Sequence, residues 1–163
     1  QLRTRSIAMI HEKLYQSDSL YDIDFDEYLQ ELVQTIQKTY SHVNQEIETV
    51  YDLDHVLLDI NQVIPCSLVV NEVVVNCFKH AFSKNDKGTV KISLHYDDPR
   101  LTLRIADNGK GLPDDFKIEE LQSLGMTLIQ TLTDQLNGKA EFSMAENGGT
   151  VFQLEFDRKT AQL

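Results

Sequence analysis

One apolar stretch, residues 65–82 (PCSLVVNEVVVNCFKHAF), limits the folds open to this chain more than any other feature. Its length and spacing are those of a helix, and proline suits a first helical turn, so the helix is expected to begin at Pro65. At roughly 100° per residue, Val70, Val74, Cys77, Phe78 and Ala81 share one arc. Glu72, Asn76, Lys79, His80 and Ser83 gather on the opposite side, with Glu72 and Asn76 four residues apart and Lys79 and His80 a further three and four. A helix this apolar has to be covered by a second layer.

The rest of the chain supplies that layer as paired strands. EIETVYDL (46–53) and HVLLDI (55–60) read as two short strands around an acidic turn. TVKISLHY (89–96) and RLTLRIAD (100–107) read as a pair joined by Asp97, Asp98 and Pro99. KAEFSMAE (139–146) and TVFQLEFD (150–157) flank Asn147, Gly148 and Gly149, a strong hairpin signal. Further helices are expected over 2–16, 25–40 and 124–136. For the second of these Asp24 is placed as a cap, with Glu27 completing a capping box, and Phe25, Tyr28, Leu29, Leu32, Val33, Ile36 and Tyr40 form its buried face. The expected fold is therefore α+β, a two-layer α/β sandwich with helices on one face of a mixed, mainly antiparallel sheet.

Composition narrows the function classes. The 163 residues carry 26 acidic and 15 basic side chains, a net charge of −11, which argues against binding duplex nucleic acid through clustered cations. No run reaches the ~20 continuous apolar residues of a membrane span, so no membrane contact is expected from this stretch. Cys66 and Cys77 make no metal spacing, lie in one helical segment and point to a reducing, cytoplasmic compartment. His11, His42, His55 and His95 are scattered and receive no role. Because the chain opens in a helical pattern without an initiator methionine, it is expected to be part of a longer protein.

Three loops look built for backbone contact with a ligand. Asp107-Asn108-Gly109-Lys110-Gly111 follows a strand, with two glycines one residue apart and Asp107 available to an exocyclic amine. Ser123-Leu124-Gly125-Met126 opens a helix, whose free N–H groups and dipole suit a phosphate. Gly148-Gly149-Thr150 is most simply a turn, with Thr150 as a second contact to a base. Each loop has an ordinary reading as a glycine turn, and the polar helix side has an ordinary reading as a solvated face. On the helix, the carboxylate of Glu72 and the amide oxygen of Asn76 are hard donors suited to Mg²⁺, and Lys79 suits a phosphate.

It is the order of the four elements that is specific: E-x-x-x-N-x-x-K-H on a helix, D-x-G-x-G after a strand, S-L-G-M opening a helix, and G-G-T in a terminal hairpin. The set resembles the ATP-binding (Bergerat-type) fold of the GHKL superfamily. IPCSLVVNEVVVNCFKHAF, ADNGKGLP and SLGMTLIQTLTDQLNGKAEF are most similar to its sensor histidine kinase branch with a short lid. The stretch from residue 7 to 33 resembles the end of that branch's dimerisation region. The resemblance implies two parts, a helical segment over 1–42 and an ATP-binding catalytic domain over 43–163. It implies Asn76 as the Mg²⁺ ligand, Glu72 as the carboxylate that orients or deprotonates the attacking group, and Lys79 and His80 near the phosphates. Asp107 would bind the adenine amino group, with Gly109 and Gly111 in the first glycine box. Leu124, Gly125 and Met126 would form the second, Thr150 would support the base contact, and the lid would span about 113–124.

The resemblance also implies transfer of the ATP γ-phosphoryl to a histidine, then to the receiver domain of a response regulator, within a homodimer. The family's acceptor motif, of the H-[HR]-x-K-N-N type, has no match here, and His11 lies in a different family segment. A GHKL ATPase, an anti-sigma-type serine kinase and a degenerate, partner-binding domain are the rival readings. Intact Asp107, Gly109, Gly111 and Asn76 stand against the last of these.

Overall fold

The side chains of the central helix are covered by a five-stranded sheet on one side and by two neighbouring helices. In a computed structural model, described over residues 8, 9, 12, 22–40, 46–83, 86–110, 124–146 and 148–159, the elements run in the following order. β1 (Ile23–Asp24) and α1 (Phe25–Tyr40) lead into β2 (Glu46–Leu53) and β3 (Leu57–Leu58). α2 (Ile60–Asn76) continues directly into a π-helical turn (Cys77–Ala81), followed by β4 (Lys87–Asp97) and β5 (Arg100–Asp107). α3 (Leu124–Gln135), β6 (Lys139–Met144) and β7 (Thr150–Asp157) complete it. The sheet order is β2-β4-β5-β7-β6, parallel between β2 and β4 and antiparallel elsewhere. The α+β sandwich is thus as expected, and strands 46–53, 100–107 and 150–157 have the expected bounds.

The core is one cluster. From α1 it takes Phe25, Tyr28, Leu29, Leu32, Val33 and Ile36, from α2 Val63, Val69, Val70, Val73 and Val74, and from the sheet Val90, Ile92, Leu94, Leu103, Ile105 and Leu154. The face expected for residues 25–40 is therefore the buried one, and it packs into the same core as the sheet. Gln37 stitches α1 to β2, donating from Nε2 to the Ile47 carbonyl (2.8 Å) and accepting from Thr49 Oγ1 (2.8 Å).

Two expectations require correction. The stretch 55–60 is not a full strand beside 46–53. Only Leu57–Leu58 is extended, and it pairs antiparallel with β1. After β2 the Asp54 N–H donates to the Leu94 carbonyl (2.8 Å) and its carboxylate accepts from the Tyr96 N–H (2.9 Å), which turns the chain out of the sheet. The core helix also starts five residues earlier than Pro65. Asp59 caps it, its Oδ1 accepting from Asn61 N–H (2.7 Å) and Gln62 N–H (3.2 Å), a bond pair that local periodicity does not reveal. Pro65 then sits in the second turn, where it has no N–H to donate to the carbonyl of Asn61.

α2 with its π turn, Ile60–Ala81, has the length and apolar composition to cross a membrane, and 61% of its most apolar window is buried inside the protein. Three polar residues lie buried along it, each with a partner. Gln62 donates to the Asp157 carbonyl (2.9 Å) and accepts from Lys159 N–H (3.0 Å), and Ser67 donates to the Val63 carbonyl (2.6 Å). Asn71 is the third.

Candidate functional site

The end of α2 meets the end of β5. From residue 77 the helix widens into a π turn, a distortion that concentrates at functional positions, and it carries Cys77 and Phe78 inward. The carbonyl of Ala81 accepts from the Lys110 N–H (2.9 Å) of the loop after β5. A side chain on Gly109 would bring its Cβ within 2.2 Å of that same Ala81 oxygen, so the loop lies against the helix end because residue 109 has none. Asn108 ties the loop back to β4, its Oδ1 accepting from Thr89 N–H (2.7 Å) and its own N–H donating to the Thr89 carbonyl (3.3 Å).

Asp107 is the centre of this junction and is buried, with 5% of its surface exposed. One carboxylate oxygen, Oδ1, accepts from the N–H of Gly109 (2.9 Å) and the N–H of Thr150 (3.3 Å) at the start of β7. The other, Oδ2, meets the thiol of Cys77 at 3.6 Å. A buried carboxylate is tolerated only when its oxygens are met by donors, and here three elements supply them. Gly149 completes the approach, since a Cβ there would fall 1.8 Å from the Asp107 carbonyl oxygen.

The helix side facing away from the core is as expected. Asn76, Lys79, His80 and Ser83 are exposed and Glu72 is half-buried one turn before Asn76. Asn76 adjoins Cys77, so the polar face and Asp107 meet through neighbouring residues. Lys79 has a partner that periodicity did not indicate: its ammonium lies 5.1 Å from the centre of the Tyr40 ring at the end of α1. Gly125 and Met126, both half-buried, lie in the first turn of α3, which Leu124 opens. Gly111 and residues 111–123, which hold most of the expected lid, lie outside the described residues. The sequence assigns no site role to Cys77 or Ala81, and it includes Asn108 and Gly149 only as members of the glycine loops at 107–111 and 148–150.

Burial pushes both the Cys66 and the Cys77 thiols up from their ordinary range, and the neighbouring Asp107 carboxylate adds to the effect at Cys77. Both are free and protonated at neutral pH. Neither is expected to react with a thiol reagent at pH 7.5 in the folded chain, and both should react in denaturant. Because the folded pKa is raised, the stability it represents is present below the unfolded thiol's value of about 8.5 and is lost as pH rises above it. Urea midpoints are expected to be level between pH 6 and 8 and to fall above pH about 9.

Residues 61–160 match the model of the histidine kinase-, DNA gyrase B- and HSP90-like ATPase family. The chain belongs to this family. Residues 1–40 match a second family model, described as histidine kinase. Among relatives, the sensor histidine kinase PdtaS of Mycolicibacterium smegmatis is 29% identical over 154 residues, spanning 91% of this chain and 30% of that protein. The chain thus spans about a third of the length of the curated relatives it matches along most of its own. The anti-sigma F factor of Clostridium botulinum is 28% identical over 92 residues, covering 50% of this chain and 64% of the relative.

Solved structures agree on the fold. The histidine kinase domain of the Erythrobacter litoralis blue-light-activated histidine kinase superposes with a TM-score of 0.84 at 20% identity, over 95% of this chain and 72% of that one. The ATP-binding domain of PrrB from Mycobacterium tuberculosis gives 0.67 at 19% identity, over 86% and 98%. The chain has the fold of the ATP-binding domains of histidine kinases.

Proposed function

We propose that ATP binds where α2, the loop after β5 and the start of β7 converge, with its adenine amino group on Asp107 and its phosphates toward Asn76. The observation that carries this is the buried Asp107 carboxylate, held by Gly109, Thr150 and Cys77 at the end of β5. A carboxylate buried to this degree, with no cation paired to it among the described residues, fits an acceptor for a ligand N–H. Within a longer protein, the domain transfers the γ-phosphoryl to a histidine: an imidazole nitrogen forms the new bond to phosphorus as the bond to the β-phosphate oxygen breaks and ADP leaves. The phosphoryl then passes to an aspartate of a response regulator's receiver domain.

Glu72, half-buried beside Asn76, orients the attacking imidazole or takes its proton. The amide oxygen of Asn76 is exposed on the polar face and is the hard donor that fits Mg²⁺, which supplies charge neutralisation to the phosphates. Lys79 and His80, on the same exposed face, supply further positive charge and hydrogen bonds to the phosphate tail. Gly111, Leu124, Gly125 and Met126 belong to the glycine boxes around the lid, where the first turn of α3 offers free N–H groups. Residues 1–42 contribute to a homodimer and 43–163 form the catalytic part, although α1 shares the core of the latter. The free thiols fit a reducing compartment, and a cytoplasmic site of action is part of the same proposal.

The first test is thermal. Mg·ATP at 100 times its Kd is expected to add ~2.7 kcal/mol of stability, visible as a rise in Tm of several degrees. Asn76→Asp should remove most of that rise while leaving the nucleotide-free Tm in place. No rise with the unaltered chain would favour a degenerate, partner-binding domain. The similarity to anti-sigma F factor keeps a serine kinase as the second reading, and the match of residues 1–40 to a histidine kinase segment favours the first. Acid-labile phosphate on the full-length protein after incubation with ATP supports a histidine acceptor, whereas acid-stable phosphate on a partner protein supports serine.

A further inference from the structure

We propose that Cys77 is a positioning residue for base recognition, its thiol fixing the direction in which Asp107 can accept a hydrogen bond from the nucleotide. The inference rests on the assignment of Asp107 to the adenine amino group and adds a residue to it.

Carboxylate oxygens each offer about two acceptor directions, and the terminal torsion of an aspartate is broad. At Asp107 the two backbone donors, Gly109 and Thr150, both address Oδ1. They anchor that oxygen to the loop and to β7, and they leave the orientation of Oδ2 to other groups. Among the described residues, the donor that reaches Oδ2 is the Cys77 thiol, at 3.6 Å. Both partners are buried, Asp107 to 5% exposure and Cys77 to 7%, so water does not compete well for the same direction. Burial together with the carboxylate keeps the thiol protonated, so it acts as a donor. With one direction of Oδ2 taken by S–H, the other is left for an exocyclic N–H.

The phase of the helix explains why residue 77 can do this. At about 100° per residue Cys77 falls on the buried side with Val70 and Val74, while Asn76, one residue earlier, stays on the exposed face. An alanine would leave the backbone path in place and remove the donor. A serine would keep a donor on a side chain of similar shape.

Competition with a fluorescent ATP analogue gives the affinity of each variant for ATP and for inosine triphosphate, in which a carbonyl replaces the amino group. The chain is expected to prefer ATP. Cys77→Ala should narrow the ATP-over-inosine ratio by about 2- to 10-fold, the range of one net hydrogen bond, and Cys77→Ser should restore it. A merely packing role would lower stability without moving the ratio. An unchanged ratio in Cys77→Ala, or a narrowed ratio that Cys77→Ser does not restore, overturns the proposal. An unaltered chain that binds the two nucleotides equally overturns the base contact at Asp107 itself, and Asp107→Asn would then leave the ratio where it was.

Discussion

Replacing Asp107 by asparagine is expected to weaken ATP binding by roughly 30- to 1,000-fold, about 2–4 kcal/mol, in a chain that still folds. The fold survives because the asparagine carbonyl can keep the position of Oδ1 and accept from the N–H groups of Gly109 and Thr150. Its NH₂ then stands where Oδ2 met the Cys77 thiol. Two donors, the amide and the adenine amino group, would face each other in a buried site, with the weakly accepting sulfur of Cys77 in place of a carboxylate oxygen. A site built to accept a hydrogen bond loses far more from such a reversal than from the absence of an apolar contact. Titration with a fluorescent ATP analogue measures the loss, and circular dichroism with a melting curve checks the fold. Affinity within threefold of the unaltered chain would remove Asp107 from the site.

The second large effect is structural. Gly149→Ala would place a Cβ 1.8 Å from the Asp107 carbonyl oxygen, 2.7 Å from its carbonyl carbon and 2.8 Å from the Cα of Asn108. All three are backbone atoms, and none can swing aside as a side chain would. The end of β5 and the start of β7 have to part, at a cost of ~3 kcal/mol or more. That corresponds to a Tm drop of about 6–12 °C for a chain of this size. Parting them also draws the Thr150 N–H away from Oδ1, so ATP affinity should fall with stability. Its neighbour provides the contrast. Gly148 has φ +93 with nothing near its absent Cβ, so Gly148→Ala should cost only about 1–2 kcal/mol of backbone strain and leave ATP affinity within twofold. Equal losses in both variants would mean that the hairpin turn, not the contact with Asp107, sets the effect.

The sheet and the helix layer were legible because their residues repeat with the right period. RLTLRIAD alternates along a strand whose buried apolar positions are Leu101, Leu103 and Ile105, and Phe25 to Ile36 follow the spacing of one helix face. The errors fell where a single side chain overrules the period. Asp59 starts α2 before Pro65 by accepting two backbone N–H groups, and Asp54 ends the run of β2 by bonding to β4. Neither bond leaves a periodic trace. The polar face of α2 was legible in the same way as the core face, by angle around the axis. The contact of Lys79 with Tyr40 was not, since it joins residues 39 positions apart.

The sequence by itself determined which residue types stand at the positions proposed to face the nucleotide: Asn76, Asp107, Gly109 and Thr150, in an order that resembles one family. It also determined the two periodicities that build the layers, because burial of apolar surface acts locally on helix and strand alike. Only the tertiary structure decided how those positions address one another. The Cys77 thiol meets Asp107 because the end of α2 lies against the end of β5, and Gly149 matters because two backbones from distant segments touch there. Such contacts depend on how elements lie against each other in three dimensions, and hydrogen-bond direction and close approach carry no period along the chain.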